Sequence, residues 1–236
     1  VDHGDYRGHA QFFVYPSTTE EELDKLIDDA VRQAALIDNP RYALPAGETG
    51  EYTIESNFAE WDAAELCAKI ANTVFSANTL AVTSLNAVEI FLNRVTETVV
   101  NSNGLHKTQH LYRAMVEAIP TATEGGESVE LYEQCNFSSL DIEHLRSEIA
   151  EKMVEVKARF EATTPTEIKP CRVILNPLEL SQLFWFLSED LNYATVYAHS
   201  NLHSKGDALQ KEPTGDKLTI TMAGALPSNV ASRCFD

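Results

Sequence analysis

The sequence predicts an α+β fold, with helices packed on an antiparallel meander sheet and the start of a β-rich second domain behind it. Two periodicities predict this. Apolar residues recur at helical spacing on either side of a central run whose period is two, and the two patterns are grouped rather than alternating. A Thr- and Pro-rich break, ATTPTEIKP, then interrupts the chain and cannot continue a helix. It sets a domain boundary near 163–170, with an N-terminal domain over 1–165 and a second over 166–236.

Each element has a local reason. AQFFVY at 10–15 reads as a short strand ended by Pro16. Thr18 with Glu21 makes a capping box, and Leu23, Leu26, Ile27, Ala30, Val31 and Ala34 follow at helical spacing until Pro40. Residues 41–57 carry Pro, Gly and acids without periodicity and read as a loop. A second helix is expected from Ala59 to Phe75. LNAVEIFLNRV, TETVVNSNGL, HKTQHLYRAMVEAI and SVELYEQCNF then read as successive strands, with Asn103-Gly104 as a hairpin turn. Ser138 or Ser139 caps a long helix whose stripe is Ile142, Leu145, Ile149, Met153, Val156 and Phe160. Beyond the break, CRVIL is a strand and Asn176-Pro177 opens another helix. YATVYAH and DKLTITM complete the list as strands.

Composition narrows the function. Hydrophobic residues are 44% of the 236, enough for a packed core. The net charge is −18, from 36 acids against 18 bases, and the bases are scattered. A nucleic-acid partner is therefore not expected, because phosphates are held by clustered Lys and Arg. No apolar run approaches the roughly 20 residues that span a bilayer, and VDHGDYRGHA lacks a signal-peptide pattern. A soluble, cytoplasmic protein with no membrane partner is the expectation. Cys67, Cys135, Cys171 and Cys234 form no CxxC pair. Cys67 and Cys171 lie in apolar segments and read as core residues.

Four segments in order resemble the TldD/PmbA family across the chain. They are DNPRYALPAG at 38–47, TVVNSNGLHKTQ at 98–109, CRVILNPLELSQLFWFL at 171–187, and VYAHSNLHSKGDALQ…DKLTIT at 196–221. Phe235-Asp236 is similar to the opening of a further family segment. The resemblance, and a start at Val rather than Met, imply the N-terminal half of a longer chain.

The family's catalytic branch carries a His-Glu-x-x-x-His helix in which the imidazoles ligate zinc and the Glu activates bound water. By alignment, Phe184, Trp185 and Glu189 occupy the first His, the Glu and the second His. A phenyl ring cannot bind zinc and an indole cannot act as base. The resemblance is thus to the PmbA (TldE-like) branch, which lacks the motif and has no catalytic residues of its own. It implies Zn2+ in a TldD-like partner subunit, or a homodimer, acting on unfolded or extended peptides. Family members are associated with peptide maturation and described as modulators of DNA gyrase. The alternation in HKTQHLYRAMV suggests an open sheet edge that a peptide could join.

One rival reading is a metal-dependent hydrolase with a non-standard site at His199 and His203, with acids such as Asp207 nearby. On a helix their spacing would put both rings on one face. On a strand they would sit roughly 13 Å apart, too far for one ion. His106 and His110 repeat the spacing on another expected strand.

Overall fold

The computed structural model describes residues 1–165, 167, 170–210, 212, 214–216, 218–226 and 229–235. Asp236 and Lys217, which entered the family resemblance and the last expected strand, lie outside them. The fold is α+β. It divides into two compact units.

The first unit holds Val1–Tyr52 and Glu97–Thr108. Two short strands, β1 (Asp2–His3) and β2 (Tyr6–Arg7), pair antiparallel. Asp2 accepts from the guanidiniums of both Arg7 and Arg41, which hold its carboxyl far below the usual range. Residues 10–15 are not a strand. Helix α1 spans Glu20–Ala34, and its cap is Thr19 with Glu22, one residue later than expected. The reason is local: the Thr18 hydroxyl already accepts from the Tyr15 N–H at 3.0 Å, which frees Thr19 to cap. Only Ala34 of α1 is buried, while Ile27 and Val31 remain exposed.

Strand β3 (Thr49–Thr53) leads towards the second unit, which holds Thr53–Thr96 and Gln109 onward. A 3-10 turn over Asn57–Glu60 occupies the first residues expected as helix. Helix α2 therefore starts later, at Ala63–Ser76, where the Asp62 carboxylate accepts from Ala64 and Glu65 N–H. Strands β4 (Thr83–Val100) and β5 (His106–Glu124) follow. The two strands expected between 85 and 105 are one, β4, which continues through Thr96 to Val100. The turn falls at Asn101–Leu105, where Gly104 takes φ 86° and the Asn101 side chain accepts from Asn103 and Leu105 N–H. The contacts Thr98–Thr108 and Thr96–His110 show the hairpin register.

The larger sheet has the order β3-β5-β4, with β6 (Glu127–Glu130) and β7 (Glu133–Phe137) also pairing with β5. Those last two pairings are antiparallel. HKTQHLYRAMV therefore lies in the central strand, not at an edge. Among the described residues β3, β4, β6 and β7 each pair only with β5, so the open edges are theirs.

Helix α3 (Ile142–Phe160) is capped by Asp141, whose carboxylate accepts from His144 N–H at 3.0 Å. The two serines expected there are used otherwise: Ser138 is buried, and the Ser139 hydroxyl accepts from Asn57 N–H. Leu145, Ile149 and Met153 of α3 meet Ile70 and Val74 of α2 over Ala114, Val116 and Ala118 of β5. Side chains alternate across a strand, so those three residues share one face. Each fully buried Ile, Val or Met contributes roughly 1.5–3 kcal/mol. Cys135 of β7 belongs to this core, and burial, reinforced by Glu148 and Glu133, pushes its thiol up to about 12.

Beyond α3 the expected strands are absent among the described residues. Residues 171–175 form neither helix nor strand, and Cys171 is exposed rather than in the core. Residues 218–222 are likewise without a strand. Tyr193–Tyr197, read as a strand, is the short helix α5, which follows α4 (Pro177–Asp190). Asn192 overrides its β-branched residues by capping Ala194 N–H at 2.8 Å. Among the described residues no helix is long and apolar enough to cross a membrane.

Candidate functional site

Helix α4 and the residues that follow α5 hold the candidate site residues Phe184, Trp185, Glu189, His199, His203 and Asp207. Helix α4 forms because the Asn176 side chain accepts from Leu178 and Glu179 N–H at 3.0 and 3.2 Å, and Pro177 supplies a pre-set φ at the first position. Along it, Phe184 is half-buried, Trp185 is 63% exposed and Glu189 is exposed. Leu187 and Asp190 are the buried members of the helix.

Asp190 was not singled out by sequence, yet it organises the segment. Its carboxylate accepts from Leu202 N–H, from His203 N–H at 3.1 Å, and pairs with His203 Nδ1 at 2.8 Å. These bonds, the one from Leu202 first, hold the carboxyl below the usual carboxylate range. An ionised Asp190 fixes Nδ1 of His203 as the donor and turns Nε2 away from the carboxylate. A signal was present: an acid in the last helical turn opposes the dipole and calls for a compensating partner.

His199 does something different. It takes φ 54°, and its N–H donates to Val196 O while Ser200 N–H donates to Thr195 O. That is a Schellman ending on α5 in which a histidine fills the position that glycine favours. Asp207 accepts from Ser204 N–H at 2.7 Å, in a local turn. The structure thus assigns separate local roles to His199, His203 and Asp207. Among the described residues no three His, Cys, Asp or Glu side chains gather as a metal-holding group.

A second feature, unread in the sequence, lies within the helix–sheet layer of the same unit. A cavity of about 230 Å³ opens between the 3-10 turn, α2, β4 and β5. Phe58, Trp61, Leu66, Leu92 and Tyr112 give it apolar walls, and Arg94 brings a charge. Phe58 meets Tyr112 and Phe137 edge-on at 6.4 and 6.0 Å. Arg94 lies 5.8 Å from the centroid of the Tyr112 ring, and Lys69 Nζ lies 4.0 Å from that of Trp61. Neither cation forms an ion pair among the described residues, although the chain has twice as many acids as bases.

Comparison of the chain with protein-family models and with curated proteins finds no match.

Proposed function

We propose that the chain is a non-catalytic, PmbA/TldE-like subunit of a TldD-type zinc metallopeptidase complex that acts on unfolded peptides in the cytoplasm. The observation that carries this reading is the chemistry of α4. Phe184 and Trp185 stand where the catalytic branch of the resembled family has its first zinc-binding His and its general base. A hydrocarbon ring offers no lone pair to a metal, and an indole N–H only donates. Zn2+ belongs, in this reading, to a TldD-like partner subunit.

The surface of the same helix supports a protein partner. Leu178, Leu183, Trp185 and Phe186 are each more than half exposed. A helix apolar on most of its faces is normally covered. A substrate peptide could join an open strand edge of the larger sheet, such as that of the long strand β4.

The test is reconstitution with a TldD-type subunit. The pair should hydrolyse unfolded peptide and carry zinc, whereas the chain alone should do neither. Leu183→Asp should weaken the pairing at least tenfold without altering the chain's circular dichroism. Peptide hydrolysis by the chain alone, or zinc held by residues 184–189, would overturn the proposal.

The Asp190–His203 pair favours a second reading, a hydrolase with its own metal, since a carboxylate-oriented imidazole is how many metal-bound histidines are held. Stoichiometric zinc that disappears in His203→Ala would establish it in place of the first.

A further inference from the structure

We infer that the cavity beside Trp61 binds a small apolar monocarboxylate: a group the size of one aromatic or branched aliphatic side chain bearing a single carboxylate. This site does not depend on the subunit reading of α4.

Size comes first. A cavity of about 150 Å³ accepts benzene, so one of about 230 Å³ accommodates a phenyl or branched aliphatic group with a short linker. Nucleotides and multi-ring cofactors do not fit. The walls decide the rest of the ligand's body: Phe58, Trp61, Leu66, Leu92 and Tyr112 offer apolar contact. Phe58 is only 5% exposed and braced by two aromatic neighbours, so the floor is pre-formed rather than collapsed.

Charge comes next. In a protein of net charge −18, surface cations find acids readily: Lys25, Arg32, Arg146 and Lys157 all do so. Arg94 and Lys69 are instead placed on aromatic rings that border the cavity, without an acid. A guanidinium beside a ring and without an acid partner keeps its N–H fork available to a planar carboxylate, which it can bind through two parallel bonds. Lys69 adds a second positive charge on the Trp61 side. A cationic ligand would be repelled, and a neutral one would leave the fork unused.

The same chemistry has two sources, a free carboxylic acid and the C-terminal residue of a peptide. Calorimetric titration of the full chain with four probes separates them: 3-phenylpropionate, its amide, a short peptide ending in Phe, and that peptide amidated. At least one acid should bind saturably and at least about tenfold tighter than its amide. Arg94→Gln should abolish that preference, and Arg94→Lys should retain part of it. Arg94 is exposed, so neither variant threatens the fold. If only the peptide acid binds, the ligand is a peptide C-terminus; if only the small acid binds, it is a free carboxylate. Equal binding of acids and amides, an unchanged preference in Arg94→Gln, or no saturable binding by any probe would overturn the inference.

Discussion

Helices α3 and α4 begin in the same way and end in different surroundings. Each starts at a side-chain acceptor, Asp141 in one and Asn176 in the other, and neither has a helix breaker inside. Yet α3 buries Leu145, Ile149, Met153 and Val156, whereas α4 leaves Leu178, Leu183, Trp185 and Phe186 in solvent. Caps and propensity suffice to form a helix. Burial requires a second surface, and α3 has one in α2 and β5. The apolar content of a helix therefore does not reveal whether its own chain covers it.

The comparison can be broken most directly by truncating one residue on each helix. Ile149→Ala should lower the unfolding free energy by about 2–5 kcal/mol, because it opens a cavity in a closed core. Trp185→Ala should stay within about 0.5 kcal/mol, as for an exposed residue. Urea midpoints measured side by side decide it, and equal losses would mean that α4 is packed in solution.

A smaller effect separates the caps. Asp141→Ala and Asn176→Ala should each cost about 1 kcal/mol. For Asp141 the loss should appear in global unfolding. For Asn176 it should appear as faster hydrogen exchange confined to 177–190, because less of the fold rests on that helix.

The smallest effect is a local response to acid. Asp190 has a folded-state pKa below its ordinary value, held there by Leu202 and His203. Its contribution is therefore fully present above the ordinary carboxylate pKa and is lost as pH falls through the lowered one. Exchange at the Leu202 and His203 amides should accelerate over that window, and Asp190→Asn should remove the pH dependence.

Elements with a complete local code were legible in the sequence. The stripe of α3, the Asn176-Pro177 opening of α4 and the turn at Gly104 all stand where their residues place them. Boundaries slipped where two candidate caps competed, as at Thr18 and Thr19, since the hydroxyl not used for the helix was used in a turn. The reading failed where an apolar run was taken as evidence of a strand. CRVIL and YATVYAH have the right composition but no strand pairs with them among the described residues, and pairing is a long-range property. The positions of Phe184, half-buried, and of Trp185 and Glu189, exposed, could be named but not built. The Asp190–His203 pair and the cavity beside Trp61 join residues distant in sequence, so no local window contains them.

Gln109 carries a consequence for the order of assembly. Its side-chain amide is only 1% exposed, receives the N–H of Cys234 on its oxygen at 2.8 Å, and donates to the carbonyl of Phe235 at 3.0 Å. One glutamine thus imitates a stretch of neighbouring backbone and closes a loop of more than a hundred residues. Such a closure loses chain entropy before it gains any bond. Cys234 and Phe235 find these partners only where β5 has placed Gln109, so Gln109→Ala should speed hydrogen exchange at the Cys234 amide.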